Sequence, residues 1–320
     1  MSCEINNQCP FIAKYYGNIT KDTIVLEYIK GKTLKNFIEE NVNLEYIDKM
    51  KIILQIMIAI EFIHLNGFII RDIKDENIMI DTNKNAILID FNYSAYENYD
   101  IITSNIIGQA KLMSPEVNYY SYYSLKSDIY ALGIIIHFIL TGKYFGESDI
   151  NPIFEKMHKS NKNFFDCIKD FKQFDDVELK KIFEIYKKCV DASPENRPSI
   201  SNLLNDFFDV IQTKAICQEK TDTQLISLIK TLIKIRESQF NILLSNSNID
   251  EQKLNDLYFF FGNEYNNGFF VEFDIEKSIR YLEISSKYDN ALALSILGSI
   301  YYLNSYLPKH FERSVEYYSH

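Results

Sequence analysis

Residues 68–81 have the sequence FIIRDIKDENIMID, in which two apolar runs flank a short polar loop. The runs at 68–70 and 78–80 predict two buried strands. The loop between them carries charged and amide side chains: Arg71, Asp72, Lys74 and Asn77. A third apolar run at 86–89 leads directly into Asp90, so two carboxylates, an ammonium and an amide follow or precede short strands. This set of groups is typical of a site that holds Mg²⁺ and a phosphoryl group.

Each polar side chain of this loop suits a chemical role. Phosphoryl transfer needs an acceptor for the proton of the attacking hydroxyl, positive charge against the triphosphate and oxygen ligands for a hard cation. Asp72 suits the first role, Lys74 suits the second, and Asn77 with Asp90 suits the third. The alternative is a polar loop with an N-capping Asp and a surface Lys. The joint order D-x-K-x-x-N, apolar strand, D-F favours phosphoryl transfer.

Four motifs in a fixed order give the chain a specific resemblance. Residues 71–77 and 90–91 are similar to the pattern H-R-D-x-K-x-x-N followed by D-F-G. Further matches follow in the same order: 114–116 for A-P-E, 127–133 for the start of a long central helix, and 194–199 for the D-P-x-x-R-P-[ST] turn. The chain therefore resembles the eukaryotic protein kinases, and Lys74 resembles the serine/threonine type.

The resemblance implies an α+β fold, in which a mainly α-helical protein-kinase C-lobe carries a partial β N-lobe. It also implies ATP-dependent phosphoryl transfer to Ser/Thr hydroxyls of a protein substrate, with ATP and Mg²⁺ as cofactors. By resemblance, Asp72 and Lys74 are catalytic, and Asn77 and Asp90 bind the metal. The implied nucleotide contacts, besides Lys74, are the gatekeeper Leu26, the hinge residues Glu27 and Ile29, and Met79.

Several positions depart from the kinase pattern. Ile70 stands where the pattern has His, and Asp75 stands where it has Pro. Asn92 replaces the Gly that follows the Phe, and Gln109 replaces the Thr that bonds to the catalytic Asp and Lys. We expect Asn92 to preserve the turn, because Asn tolerates positive φ. Only nine residues precede Pro10, fewer than the Gly-rich loop, strand Lys and helix Glu of a complete kinase need. Either the sequence is an incomplete gene product or the protein has dispensed with this phosphate clamp. The missing strand Lys, Ile70 and Gln109 favour an alternative function, that of a catalytically inactive pseudokinase scaffold.

The resemblance also implies structural roles. Glu116 and Arg197 are expected to form a buried ion pair, and Asp128 is expected to hold the backbone of the catalytic loop. Small-molecule kinases share an Asp and an Asn in this loop but lack the pairing of Ser-Pro-Glu with Arg197, which disfavours that class. Arg71 would either pair with a phosphate on the activation segment, between Asp90 and Glu116, or serve as a structural ion-pair partner.

Composition and charge disfavour several classes of protein. The chain has 320 residues, of which 47% are hydrophobic, and a net charge of −10, which argues against a general binder of nucleic acid or acidic membranes. Its five cysteines are scattered without metal-ligand spacing, as expected for reduced thiols. The first residues lack the features of a signal peptide, and the longest apolar run, near 129–140, is too short to span a bilayer. We therefore expect a cytoplasmic protein that binds neither nucleic acid nor membranes.

Helical periodicity extends through the rest of the chain. Helices are predicted at 44–65, up to about Leu140, near 177–190 and over 199–212. A connecting helix followed by an Asn/Ser-rich linker is predicted for 213–250. The predicted domains are a kinase-like domain (1–212), a helical linker (213–250) and a module of helical hairpins (251–320).

The tail repeats with an offset of 36 residues, from Gly262 to Gly298. The recurring residues are Tyr265, Ser278 and Tyr281, which return as Tyr301, Ser314 and Tyr317. Each unit predicts two helices that approach closely at the glycine, with aromatic rings filling the space between them. The pattern resembles the Sel-one-like repeats, relatives of the tetratricopeptide repeats, which implies a surface for partner proteins. The alternative is a single α-helical hairpin packed on the kinase-like lobe.

Overall fold

A computed structural model describes residues 9–20, 23–97, 108–144, 177–218, 223–245, 251–267, 271, 273–304, 307 and 310–319. The chain divides into two compact units, Met1–Leu228 and Ile229–His320. The described part of the first unit contains small sheets and helices, and the described part of the second contains helices only. This mainly helical architecture agrees with the predicted α+β class. Among the described helices, none has both the length and the apolar character needed to cross a membrane.

The described strands all lie in the first unit and are short. In chain order they are β1 (Tyr15–Thr20), β2 (Thr23–Leu26), β3 (Gly31–Thr33), β4 (Phe68–Ile69), β5 (Ile78–Asp81), β6 (Ala86–Leu88) and β7 (Ala95–Tyr96). β1 and β2 form an antiparallel hairpin, and β4 pairs with β7. The third sheet has the order β3-β5-β6 with antiparallel neighbours. The runs predicted as strands at 68–70, 78–80 and 86–89 correspond to β4, β5 and β6.

Helices are described in both units. In chain order they are α1 (Leu34–Glu40), α2 (Tyr46–Leu65), α3 (Pro115–Tyr120), α4 (Leu125–Thr141), α5 (Val177–Cys189), α6 (Ile200–Gln218), α7 (Thr223–Ser245), α8 (Glu251–Asn267), α9 (Ile275–Ser286), α10 (Ala291–Leu303) and α11 (His310–Tyr318). The helices predicted at 44–65 and near 177–190 correspond to α2 and α5. The helix predicted to end at residue 212 continues to Gln218.

Helix α2 lies in the core of the first unit. Every side chain from Ile52 to Leu65 is buried, so the helix is enclosed on all sides rather than on one apolar face. Its buried Gln55 is satisfied by two contacts with the sheet: the Ala86 amide donates to Oε1 at 2.8 Å, and Nε2 donates to the Asn85 side chain at 2.9 Å. These bonds fix the start of β6 against the helix, and β6 leads to Asp90.

Helix α4 forms the second buried element of this unit. Ser124 caps its first turn in a capping box with Ser127, and Gly142 ends it in the left-handed conformation with φ 72°. A Cβ atom at Gly133 would lie 2.7 Å from the Cβ of Cys189, so the glycine allows α4 to approach the end of α5 closely. The helix predicted to extend to about Leu140 ends at Thr141.

The second unit contains two helix pairs with the same polar contact. In the pair α8–α9, the Ser278 hydroxyl donates to the Gly262 carbonyl at 2.7 Å. In the pair α10–α11, the Ser314 hydroxyl donates to the Gly298 carbonyl at 3.1 Å. Both serines are buried. The hydrogen bond between serine and glycine therefore recurs with the same 36-residue offset as the sequence pattern.

An aromatic contact recurs with the same offset. Tyr265 stacks on Tyr281 with ring centroids 5.9 Å apart, and Tyr301 stacks on Tyr317 at 5.7 Å. Each stack joins the two helices of one pair. Gly268, which the sequence pattern assigned to the first repeat, lies outside the described residues.

Candidate active site

Hydrogen bonds hold the loop of residues 70–77, called the catalytic loop below, to the first turn of α4. The Ile70 amide donates to Asp128 Oδ2 at 2.8 Å, and the Arg71 amide donates to Asp128 Oδ1 at 2.9 Å. Arg71 has a left-handed backbone with φ 67°, which lets both amides point to one carboxylate. His64 Nε2 also lies 2.9 Å from Asp128 Oδ2, at the end of α2. The predicted role of Asp128 is confirmed.

Three of the predicted site residues contact one another in this loop. Lys74 Nζ lies 2.6 Å from Asp72 Oδ2, and Asn77 Nδ2 donates to both the carbonyl and Oδ2 of Asp72 at 3.0 Å. Asp72 is 5% exposed, so its carboxylate is held by these two side chains rather than by bulk water. An oriented, buried carboxylate next to an ammonium can accept a proton from a hydroxyl and present positive charge to a phosphate.

The electrostatics favour a charged Lys74. Partial burial lowers its pKa, but the hydrogen bond and the negative charge of Asp72 act in the opposite direction. Glu76 and Asp90 add further negative charge, and the net effect raises the pKa of Lys74 above its ordinary value. The ammonium therefore stays protonated at neutral pH.

Asp90 reaches the same end of the sheet as Asn77. Ile78 at the start of β5 pairs with Leu88 at the end of β6, and the Ile89 amide donates to the Asn77 carbonyl at 2.9 Å. Asp90 has φ 62°, and its Oδ1 accepts the Asn92 amide at 3.2 Å. The turn expected to survive with Asn92 is present, since the Ser94 amide donates to the Phe91 carbonyl at 3.1 Å, but the residue with positive φ is Asp90 rather than Asn92.

The donor set at this end of the sheet fits Mg²⁺. Asn77 uses its amide nitrogen for Asp72, which leaves its Oδ1 oxygen for a cation, and Asp90 supplies a half-buried carboxylate. Mg²⁺ prefers such oxygen ligands and usually completes its shell with waters and substrate phosphates. In keeping with this, the described residues contain no cluster of three or more His, Cys, Asp or Glu side chains that would hold a metal by itself.

The hinge residues predicted for the nucleotide lie far from the catalytic loop in sequence. Leu26 ends β2 and is exposed, and the half-buried Glu27 and Ile29 follow it in an irregular segment. The Glu27 amide donates to the Lys14 carbonyl at 2.7 Å, which holds this segment to the residue that precedes β1. Met79 is half-buried in the middle of β5. The described contacts do not join these residues into one polar cluster.

The segment 108–113, called the substrate-side segment below, passes close to Asp72. A Cβ atom at Gly108 would lie 3.9 Å from Asp72 Oδ1 and 3.7 Å from the Arg71 carbonyl. Gln109, which takes the place of the kinase Thr, donates through Nε2 to Glu76 at 3.1 Å. Its amide therefore contacts the far side of the catalytic loop and not the Asp72 carboxylate.

The guanidinium of Arg71 has partners in the structure. Its Nε donates to the Tyr93 carbonyl, and the group lies 5.7 Å from the centroid of the Tyr123 ring. The sequence left open whether Arg71 pairs with a phosphate on the activation segment or has a structural role. These contacts support the structural role. Thr103 and Ser104 of the activation segment lie outside the described residues.

The ion pair expected between Glu116 and Arg197 is confirmed. The two side chains meet in a bidentate contact, with nitrogen–oxygen distances of 2.6 and 2.8 Å. Arg197 is 1% exposed, lies over the Tyr130 ring at 5.0 Å and also donates to the Asp191 carbonyl at 2.9 Å. Because this buried charge has several partners, it fixes α3, which carries Glu116, to the turn before α6.

Sequence analysis missed one group of residues beside the site. Asp75, in the catalytic loop, is fully buried, and Lys111 Nζ lies 3.9 Å from its Oδ2. The Lys111 ammonium also lies 3.9 Å from the centroid of the Tyr144 ring. Burial, and then the negative charge of Asp75, raise the pKa of Tyr144 above its ordinary value. The replacement of the usual Pro by Asp75 was visible in the sequence, but its partners are 36 and 69 residues away.

A comparison with protein families agrees with this geometry. The family model described as "Protein kinase domain" matches residues 3–208. A probable serine/threonine-protein kinase of Clostridium acetobutylicum is 28% identical over 214 residues, which cover 66% of this chain and 31% of the relative. The serine/threonine-protein kinase PrkC of Bacillus subtilis is 38% identical over 132 residues, or 40% of this chain and 20% of PrkC.

A plant relative aligns with more of the chain. The CBL-interacting protein kinase 10 of Oryza sativa subsp. japonica is 29% identical over 245 residues, which cover 74% of this chain and 51% of the relative. The chain thus spans about half or less of the length of these relatives.

Proposed function

The chain belongs to the protein kinase family, and we propose that it transfers the γ-phosphoryl group of ATP to serine or threonine hydroxyls of proteins. The observation that carries the proposal is the contact of both Lys74 and Asn77 with the buried Asp72 carboxylate. The Lys two residues after the Asp is the form that resembles serine/threonine kinases. Relatives that carry this name support the same substrate class.

Each site residue has a role in this proposal. Asp72 accepts the proton of the substrate hydroxyl, which we place on the side of Gly108, where a Cβ atom would lie 3.9 Å from Asp72 Oδ1. Lys74 directs its charge to the transferred phosphate, and Asn77 holds the Asp72 carboxylate in place. Asn77 and Asp90 would hold Mg²⁺. Bound Mg·ATP would supply the phosphoryl group together with the charge that neutralises it.

The adenine would bind at the hinge. We propose that the backbone of Glu27 and Ile29 meets the base, with Leu26 as gatekeeper and Met79 on the β5 side. The irregular conformation of this segment supports the role, since backbone groups outside regular structure can bond to a ligand; the Glu27 amide is an exception, because it donates to the Lys14 carbonyl at 2.7 Å.

One observation favours a second function, that of a pseudokinase scaffold. Gln109 bonds to Glu76 rather than to Asp72 or Lys74, so the direct link of a serine/threonine kinase between substrate-side segment and acceptor is replaced. The repeated helix pairs give such a scaffold a surface for partner proteins. We propose that residues 251–320 are Sel-one-like repeats, attached by a helical linker (213–250) to a kinase-like domain (1–212).

Replacing the acceptor carboxylate tests the enzyme hypothesis. Asp72→Asn keeps the size of the side chain and its contacts with Asn77, but it removes the group that accepts the proton. We expect wild-type protein with Mg·ATP to phosphorylate a mixed Ser/Thr peptide library, and Asp72→Asn to lower the rate about 100-fold or more. Transfer of ³²P from labelled ATP measures the rate.

Nucleotide binding provides the control. Mg·ATP should raise the melting temperature of both wild type and Asp72→Asn, because Asp72 is not a ligand of the cation in this proposal. Lys84→Met, which removes an exposed ion pair with Asp48 at 2.7 Å, should leave transfer unchanged. No transfer and no thermal shift in the wild type would refute the enzyme hypothesis and leave the scaffold.

A further inference from the structure

Asp75, Lys111 and Tyr144, called the Lys111 cluster below, join three parts of the first unit. Asp75 begins the 3₁₀ turn Asp75–Asn77 of the catalytic loop, and Lys111 lies in the 3₁₀ turn Ala110–Leu112 of the substrate-side segment. Tyr144 follows α4 and stacks on its Phe138 with ring centroids 4.2 Å apart and an interplanar angle of 3°. The Lys111 ammonium lies 3.9 Å from both the Asp75 carboxylate and the Tyr144 ring.

The cluster is a costly arrangement for the folded state. Asp75 is 0% exposed, and its carboxylate has no hydrogen bond of good geometry among the described residues. The buried Tyr144 hydroxyl is its nearest neutral polar neighbour: an interaction with Asp75 contributes to the raised pKa of Tyr144, without the geometry of a full hydrogen bond. Buried groups of this kind are uncommon, since a carboxylate taken out of water needs close hydrogen bonds to offset its lost hydration. An ion pair at 3.9 Å offsets this loss only in part.

The Lys111 cluster lies where the substrate-side segment meets the catalytic loop. Gly108 passes beside Asp72, but Gln109 bonds to Glu76, so the side chain that follows the glycine does not fix the segment to the acceptor carboxylate. Lys111 comes two residues later and reaches the catalytic loop between Lys74 and Asn77, through Asp75. It therefore holds the segment to the same loop that carries Asp72.

We propose that Lys111 is a positioning residue, which holds the substrate-side segment on the catalytic loop through the Asp75 carboxylate and the Tyr144 ring and so places the protein substrate next to Asp72. This role rests on the kinase activity proposed above. It assigns to Lys111 and Asp75 the coupling that the Thr of serine/threonine kinases supplies by a direct contact.

Two isosteric variants remove the two charges separately. Lys111→Met keeps the length of the side chain, and Asp75→Asn keeps its shape; Lys111→Arg keeps the cation and serves as the rescue variant. We expect Lys111→Met and Asp75→Asn to lower kcat/KM for the peptide substrate about tenfold or more, because a displaced substrate reacts slowly. The KM for ATP should stay within twofold of wild type, and Lys111→Arg should regain most of the activity.

Stability separates this role from a purely structural one. Asp75→Asn removes a buried carboxylate without hydrogen bonds, so its urea midpoint should equal or exceed that of wild type although its activity falls. A structural role would lower the midpoint and the activity together. Lys84→Met, the matched control for loss of a lysine ion pair, should change neither quantity.

Hydrogen exchange tests the positioning without any need for activity. Amides of residues 108–113 should exchange at least tenfold faster in Lys111→Met than in wild type or Lys84→Met. Unchanged exchange in Lys111→Met would overturn the positioning role, as would full activity of both charge variants. If wild type transfers no phosphate but the exchange in Lys111→Met rises, the enzyme hypothesis fails and the contact between segment and loop stands.

Discussion

The two compact units use polar side chains in different ways. In the first unit the contacts of Glu116 with Arg197 and of Asp128 with the catalytic loop each occur once and join distant parts of the chain. In the second unit a neutral contact occurs twice, from Ser278 to Gly262 and from Ser314 to Gly298, always 16 residues apart. The first arrangement specifies one site, whereas the second specifies a repeating helix pair.

This difference has an energetic consequence. A buried charge that loses its partner remains in a medium of low polarity, and the fold bears the full cost. At a glycine between two packed helices, the change in stability depends instead on the volume of the side chain that is introduced. The size of this change depends on whether the facing side chain can move. Substitutions in the two units should therefore differ in size and in kind.

The largest effect is expected for Arg197→Met in the first unit. The variant leaves the Glu116 carboxylate buried without its partner, which should lower the free energy of unfolding by about 3–5 kcal/mol. Urea denaturation measures the change. Lys188→Met breaks the exposed pair with Asp206 and should cost less than about 1 kcal/mol. Similar losses in both variants would contradict the comparison.

A smaller effect is expected for Gly262→Ala in the second unit. The new methyl group would lie 2.6 Å from Cγ of Leu282, which is fully buried and has its amide nitrogen only 3.1 Å away. The higher helix propensity of Ala offsets part of this clash, so we expect a net loss of about 1–2 kcal/mol. Native-state hydrogen exchange of residues 251–286 measures it locally. Unchanged protection would show that Leu282 can move.

Low pH should act on the first unit through His137. Burial lowers the pKa of His137 to about 4, against about 6.5 in an unfolded chain. The unfolded chain therefore binds a proton first, and stability present above pH 6.5 falls as the pH approaches 4. We expect His137 to account for a loss of about 1 kcal/mol between pH 7.5 and 5.5. Urea denaturation of His137→Gln at both pH values should lack this part of the loss.

The smallest effect is expected for Gly298→Ala. Its methyl group would meet Tyr318 at 2.8 Å, but that ring is 56% exposed and can rotate into solvent. The gain in helix propensity, about 1 kcal/mol, should then balance the lost contact. Hydrogen exchange of residues 291–303 measures the result. A loss as large as that of Gly262→Ala would mean that the two helix pairs are equally rigid.

Much of the first unit could be predicted from its sequence. The order of the motifs located the catalytic loop, and the resemblance predicted the partners of Asp128 and of Glu116. Helical periodicity located α2, although its burial on all sides was not evident from the apolar positions alone. The 36-residue offset predicted the two helix pairs, because the same residue types recur where the same contacts form.

The remaining features depend on geometry that spacing does not encode. The left-handed backbone of Asp90, rather than of Asn92, follows from a side-chain cap that forms only in the folded turn. Gln109 turns to Glu76 although its position in the motif points to Asp72. Lys111 and Asp75 are far apart in the sequence, and no local sequence pattern indicates that they form a contact.

The single carboxylate of Asp128 mechanically couples the central helix to the chemistry. It receives the amides of Ile70 and Arg71, and Asp72 is the next residue along the chain. A tilt of the first turn of α4 would therefore move the backbone next to Asp72, the residue proposed as proton acceptor. The orientation of this helix and the position of the proposed acceptor are thus linked through one side chain.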